Sequence, residues 1–181
     1  MQALRAAIQK AAAAGVNWIQ IREKDLPARD LTELARQAIR DTQGIGARIL
    51  VNDRLDVALA ANAAGIHLGE TSLPLEAVAE WRRSAARTDF LIGVSCHSVE
   101  AARAAESGGA DYIHFGPVFA TPSKAAFGPP QGIEQLRSVC TAVRIRVIAI
   151  GGVTFENARE CFAAGASGFA AIRLFQDAPS Q

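Results

Sequence analysis

Four times along the chain an Ala-rich stretch runs into a glycine and then into four or five mostly apolar residues: "AAAAGVNWIQIRE", "LAANAAGIHLGE", "AAESGGADYIHFGP" and "CFAAGASGFAAIR". Glycine accepts the left-handed conformation that stops a helix, and a short continuous apolar run suits a strand buried on both faces. The recurring unit is therefore helix, glycine stop, parallel strand. Strands of this kind are predicted over 17–21, 48–51, 66–68, 90–94, 112–115, 147–150 and 169–172. Between them, apolar residues three and four apart predict helices near 2–14, 29–43, 54–63, 75–86, 98–107, 132–143 and 155–163, with Ser98 and Thr154 as capping residues.

Strict strand–helix alternation argues for an α/β fold with a parallel sheet, either doubly wound or closed into a barrel. No "GxGxxG" opens an early helix, so a dinucleotide fold lacks its best marker. Polar residues follow nearly every strand, as in a (β/α)8 TIM barrel whose active-site loops ring one face. The expectation is one such barrel domain over residues 1–181. Seven strands is one short of eight, the chain opens in a helix, and it ends soon after its last strand. The barrel is thus expected to lack its first strand and a full last helix, exposing apolar edges and unpaired backbone donors.

Composition narrows the setting. With 181 residues, 50% hydrophobic and 20% charged, the chain has the make-up of an ordinary globular domain with a sizeable core. A formal net charge of +1 gives no long-range attraction to nucleic acid. Cys96, Cys140 and Cys161 are odd in number and lack metal-type spacing, which fits a reducing compartment. No secretory pattern or membrane-length apolar run appears, so a cytoplasmic protein with no membrane partner is expected.

Candidate chemistry lies just after each strand. "QIREKD" places Gln20, Arg22 and Lys24 at alternate positions, so that their side chains point to the same side and two cations face one place. "VNDR" puts Asn52 and Asp53 where a helix begins, either as an N-cap or as site residues. "HLGETS" and "VSCHS" follow the third and fourth strands, and "IGGV" follows the sixth. Paired glycines let backbone N–H groups approach an anion, and the next helix adds partial positive charge. Arg173, one strand later, would bring a cation to that phosphate site. The long connection "FGPVFATPSKAAFGPPQG" carries Thr121, Ser123 and Lys124 as donors to a second anion, with prolines that restrict it. Its length would let it cover the barrel mouth. His67 and His114 sit inside apolar strands and read as buried; His97 is the histidine placed to act as acid or base. Cys96 reads as a buried thiol, Trp18 and Trp81 as packing residues, and Arg82 and Arg83 as a solvated helix face.

"QIREKD", "VNDRLDVALAANAAGIHLG", "GVSCHSVEAA", "GADYIHFGPVFATPSK", "VIAIGGV" and "AGASGFAAI" together resemble, in consistent order, the family of thiamine-phosphate synthase and the TenI-type thiazole tautomerases. The resemblance implies condensation of hydroxymethylpyrimidine pyrophosphate with thiazole phosphate, giving thiamine phosphate and pyrophosphate. It implies pyrophosphate binding by Gln20, Arg22, Lys24, Asn52 and Lys124, a pyrimidine contact at Ser95, and a hydroxyl pair at Thr121 and Ser123. It also implies a thiazole-phosphate cradle at Gly151, Gly152 and the Ile172–Arg173 turn, and Mg2+ on Asp53. The implied partners are small phosphorylated substrates, with homo-oligomers common among relatives.

Two positions depart from the family's pattern. Where the synthase carries a second magnesium-binding aspartate this chain has Ser72, leaving Glu70 as the replacement metal ligand. Where the tautomerase carries its proton-transferring histidine this chain has Pro117. The alternatives to the synthase are a tautomerase using His97, and a regulatory protein that binds phosphate ligands without catalysis.

Overall fold

The computed structural model describes residues 2–121, 129–172 and 174. Among them helices and strands alternate: α1 (Gln2–Ala13), β1 (Trp18–Ile21), α2 (Ala28–Asp41), β2 (Arg48–Asn52), α3 (Leu55–Ala60), β3 (Gly65–Leu68), α4 (Leu75–Ser84), β4 (Leu91–Cys96), α5 (Val99–Gly108), β5 (Tyr112–Phe115), α6 (Gly132–Ala142), β6 (Arg146–Ile150), α7 (Ala158–Ala163) and β7 (Gly168–Ala170). Every predicted strand and helix is present, shifted by a few residues at its ends. Hydrogen-bonded order follows chain order from β1 to β7, with parallel pairing. The result is an α/β fold with a seven-stranded, all-parallel sheet. The chain divides into two compact units, Met1–Leu73 with Glu80–Ile92, and Pro74–Ala79 with Gly93–Gln181.

In the first unit, Leu31, Leu34, Ala35 and Ala38 fall three, four and seven residues apart, so one face of α2 is apolar and fully buried. That face packs on β2 and α3. Register pairs Gln20 with Leu50 and Asn52 with His67. Because side chains alternate along a strand, Gln20, Leu50, Asn52 and His67 share one face. Trp81 packs edge-to-face on Phe90, 5.2 Å between centroids. Arg82, expected on a solvated face, instead donates from Nη1 to the Phe90 carbonyl at 3.2 Å. A backbone acceptor at the start of β4 explains the difference, and Arg83 alone remains on the exposed side, near Glu80.

In the second unit, Ile113, Phe115, Val147 and Ala149 point toward the helices and join Leu136, Val139, Ala102 and Ala105 in one core. Each fully buried Leu, Ile or Phe there contributes about 1.5–3 kcal/mol. The alternate positions Ser95, Tyr112, His114, Ile148 and Ile150 take the opposite face. Phe155, just before α7, and Phe162, within it, are exposed and meet Phe169 of β7 edge-to-face, both at 6.2 Å.

Two capping expectations are corrected. Helix α7 begins at Ala158, with Asn157 as its N-cap residue; Thr154 stands earlier, its N–H donating to Asn157 Oδ1 at 2.8 Å. The short polar side chains bond to each other's backbone and form a turn ahead of the helix. At α3 the N-cap residue is Arg54, without a side-chain cap, so neither Asn52 nor Asp53 caps that helix. Ser98 does cap α5, accepting from the Ala101 N–H at 3.1 Å.

Candidate functional site

Among the described residues, the first unit gathers polar side chains at the carboxyl ends of β1, β2 and β3. Gln20 Nε2 donates to Asn52 Oδ1 at 2.8 Å, joining the ends of β1 and β2. The shared face and the adjacent register make this bond reachable. Asp53 follows with φ 65°, a left-handed conformation, held by its N–H donating to the His67 carbonyl at 2.9 Å. Most non-glycine residues there cost about 1–2 kcal/mol, Asn and Asp less, and such conformations concentrate at functional sites where the surroundings enforce them. Arg22 and Lys24 are exposed and lie beyond the last strand residue, Ile21. The alternation expected to aim them with Gln20 ends one residue short of Arg22.

Asp53 borders an open cleft of about 640 Å³, lined also by Arg54, Leu55, Asp56, Leu59, Thr71 and Leu73. Arg54 grips Asp56 through two bonds of 2.9 and 2.6 Å, and this hydrogen bonding holds the Asp56 carboxyl below the usual range. Sequence pattern did not single out this pair, because opposite charges two residues apart carry no motif and usually face water. Next to Thr71 in the chain, Ser72 Oγ accepts from the Gly69 N–H at 2.7 Å. Ser72 thus closes the turn after β3, where Glu70 is exposed. Among the described residues no three His, Cys, Asp or Glu side chains cluster as a metal-binding group.

In the second unit the long connection and the "IGGV" segment meet through backbone bonds. Val118 N–H donates to the Ile150 carbonyl and Phe119 N–H to the Gly151 carbonyl, both at 2.9 Å. Gly151 and Gly152 have φ 91° and 67°. A Cβ on Gly151 would lie 2.5 Å from Pro117 Cβ, and one on Gly152 would lie 2.6 Å from the Ala120 carbonyl oxygen. Both conformation and space therefore require glycine. Asn157 Nδ2 donates to the Gly152 carbonyl at 3.0 Å, fixing the segment from its other side. Thr121 is half-buried just past this arm, Ser95 is half-buried on β4, and Ile172 is exposed. Ser123, Lys124 and Arg173 lie outside the described residues.

The remaining reactive groups sort by burial. Cys96 is buried and its thiol is pushed up to about 11 by desolvation, which suits an inert core thiol. His67 is buried. Burial pushes the His114 ring down to about 4, keeping it neutral near pH 7. His97 is half-buried, and its Nδ1 bonds to the Gly116 carbonyl at 2.5 Å. Among the described residues no helix is long and apolar enough to cross a membrane.

The family model described as thiamine monophosphate synthase matches residues 1–175. A Geobacter sulfurreducens relative is 53% identical over 169 residues, covering 93% of this chain and 78% of its own. A Moorella thermoacetica protein named thiamine-phosphate synthase is 46% identical over 166 residues, 91% of this chain and 77% of its own. The solved structure of thiamine phosphate pyrophosphorylase from Pyrococcus furiosus superposes with a TM-score of 0.86 at 36% identity, over 96% of this chain and 81% of that one. The chain belongs to the thiamine monophosphate synthase family.

Proposed function

We propose that this chain is a transferase of thiamine biosynthesis: it condenses hydroxymethylpyrimidine pyrophosphate with thiazole phosphate to give thiamine phosphate and pyrophosphate. The observation that carries the reading is the Gln20–Asn52 pair beside a left-handed Asp53 at the ends of β1 and β2. Relatives bearing the synthase name support it. The parallel sheet is read as part of a TIM barrel, and the reaction as cytoplasmic.

In the reaction the C–O bond of the pyrimidine methyl group breaks and pyrophosphate leaves with the electron pair. The thiazole nitrogen supplies the pair for the new C–N bond. Gln20 and Asn52, fixed by their mutual bond, orient the pyrophosphate without having to be ordered at the moment of reaction. Arg22, Lys24 and Lys124 place fixed charge where the leaving group gains negative charge, which favours the transition state over the ground state. Ser95 orients the pyrimidine, while Thr121 and Ser123 serve as hydroxyl donors. Gly151, Gly152, Ile172 and Arg173 receive the thiazole phosphate, with backbone N–H groups doing what a side chain would obstruct. A protein nucleophile is unnecessary, since the attacking atom belongs to the second substrate.

Asp53 and Glu70 suit Mg2+, which keeps several waters and is held by one or two carboxylates together with substrate phosphates rather than by an all-protein cage. When bound, the ion would neutralise charge on the departing pyrophosphate. Tautomerase activity is not favoured: Pro117 stands where its histidine would be, and the named relatives are synthases. Purified protein given both substrates and Mg2+ is expected to form thiamine phosphate and pyrophosphate in equal amounts, followed by chromatography. No product overturns the assignment.

A further inference from the structure

We propose that His97 is a positioning residue that aims the backbone N–H groups of the Gly151–Gly152 segment at the thiazole phosphate; the inference rests on the synthase reading above. The argument begins with register. Cys96 pairs with Phe115, so the next residues on each chain, His97 and Gly116, leave β4 and β5 side by side. His97 is held from both directions: Cys96 before it is 1% exposed, and Ser98 after it caps α5. Its Nδ1 faces the Gly116 carbonyl at 2.5 Å. A carbonyl only accepts, so Nδ1 carries the hydrogen and the ring donates.

From Gly116 the constraint passes to β6 through backbone alone. A Cβ on Gly116 would lie 2.0 Å from the Ile150 carbonyl oxygen, so this peptide rests directly against the end of β6. Val118 and Phe119 then donate to the carbonyls of Ile150 and Gly151. In a planar trans peptide the C=O of one residue and the N–H of the next point in opposite directions. Tying down the Ile150 and Gly151 carbonyls therefore sets the directions of the Gly151 and Gly152 N–H groups, away from the 117–119 arm. His97 anchors the root of that arm. Losing its bond would leave the glycine N–H groups present but less well aimed, a change that affects one substrate and spares the other.

The test compares His97→Ala with His97→Asn, whose side-chain nitrogen falls where Nδ1 stood. Calorimetric titration with thiazole phosphate is expected to show about tenfold weaker binding for His97→Ala, equivalent to about 1.4 kcal/mol. His97→Asn should restore affinity to within about threefold. In turnover, KM for thiazole phosphate should rise while KM for the pyrimidine pyrophosphate stays within about twofold. Equal weakening toward both substrates, unchanged affinity in His97→Ala, or failure of the Asn variant to rescue would each overturn the inference. A measurement on the unaltered protein guards against a variant that does not fold: nitrogen NMR should find Nδ1 protonated and the Gly152 amide shifting as thiazole phosphate is added. An unprotonated Nδ1 or an unmoved Gly152 amide overturns it equally. Binding of thiazole phosphate by the unaltered protein without product formation would instead sink the synthase assignment.

Discussion

Asp53 shows how a single side chain reports a site. Its left-handed backbone is tolerated by Asn and Asp better than by most residues, because a short polar side chain can bond locally. Asp53→Asn is therefore expected to unfold in urea within about 0.5 kcal/mol of the unaltered protein, while turnover falls by about a hundredfold or more with loss of the carboxylate charge. Asp53→Val should instead lose about 1–2 kcal/mol of stability, because a branched side chain meets the following carbonyl in that conformation. A large stability loss in the Asn variant would mean that Asp53 is there for the fold. Sequence pattern found Asp53 but left it open as a helix cap; only the chain's path through Arg54 separates the two roles. The Arg82 bond to the Phe90 carbonyl was illegible for a related reason, since its partner is a backbone atom eight residues away.

The strands were legible because each carries its own punctuation, a glycine stop before and a polar residue after, and those signals are local. What joins one strand end to the next was not. The Gln20–Asn52 bond and the His97–Gly116 bond both depend on register, which short apolar runs leave unspecified. Helix α7 was placed three residues early because Thr154 carries the same capping signal as Asn157 and bonds back to it. The segment after β6 offers a test of how tightly these joints are made. Gly152→Ala would set a methyl 2.6 Å from the Ala120 carbonyl oxygen and 2.8 Å from Phe119 Cβ. Overpacking of this kind costs about 1–3 kcal/mol. Chemical denaturation should show that loss, and calorimetry should show thiazole phosphate binding weakened by more than the loss at His97→Ala. Retained affinity would argue that the glycine pair is not the phosphate cradle.

For the whole protein, acid sensitivity follows from one ring set into the sheet. His114 lies on the face away from the helices, 5.4 Å from Tyr112, and burial lowers its pKa from 6.5 to about 4. Above pH 6.5 the ring is neutral folded or unfolded, and its contribution to stability is complete. Between pH 6.5 and 4 the unfolded chain binds a proton that the folded one refuses, so stability falls by on the order of 1 kcal/mol per pH unit. His114→Gln should flatten this loss between pH 7.5 and 5 in urea denaturation; an identical pH dependence in both proteins would show that the ring titrates normally. Composition and periodicity reveal the layered fold but not this sensitivity, which arises from where one strand residue is packed. The long connection holds a further consequence. It leaves β5, is tied to the end of β6 through Val118 and Phe119, and returns where Gln131 and Gly132 donate to the carbonyls of Pro117 and Val118. Both feet stand on the same few peptide units, so the two ends of the connection are held together by backbone bonds that need no particular side chain.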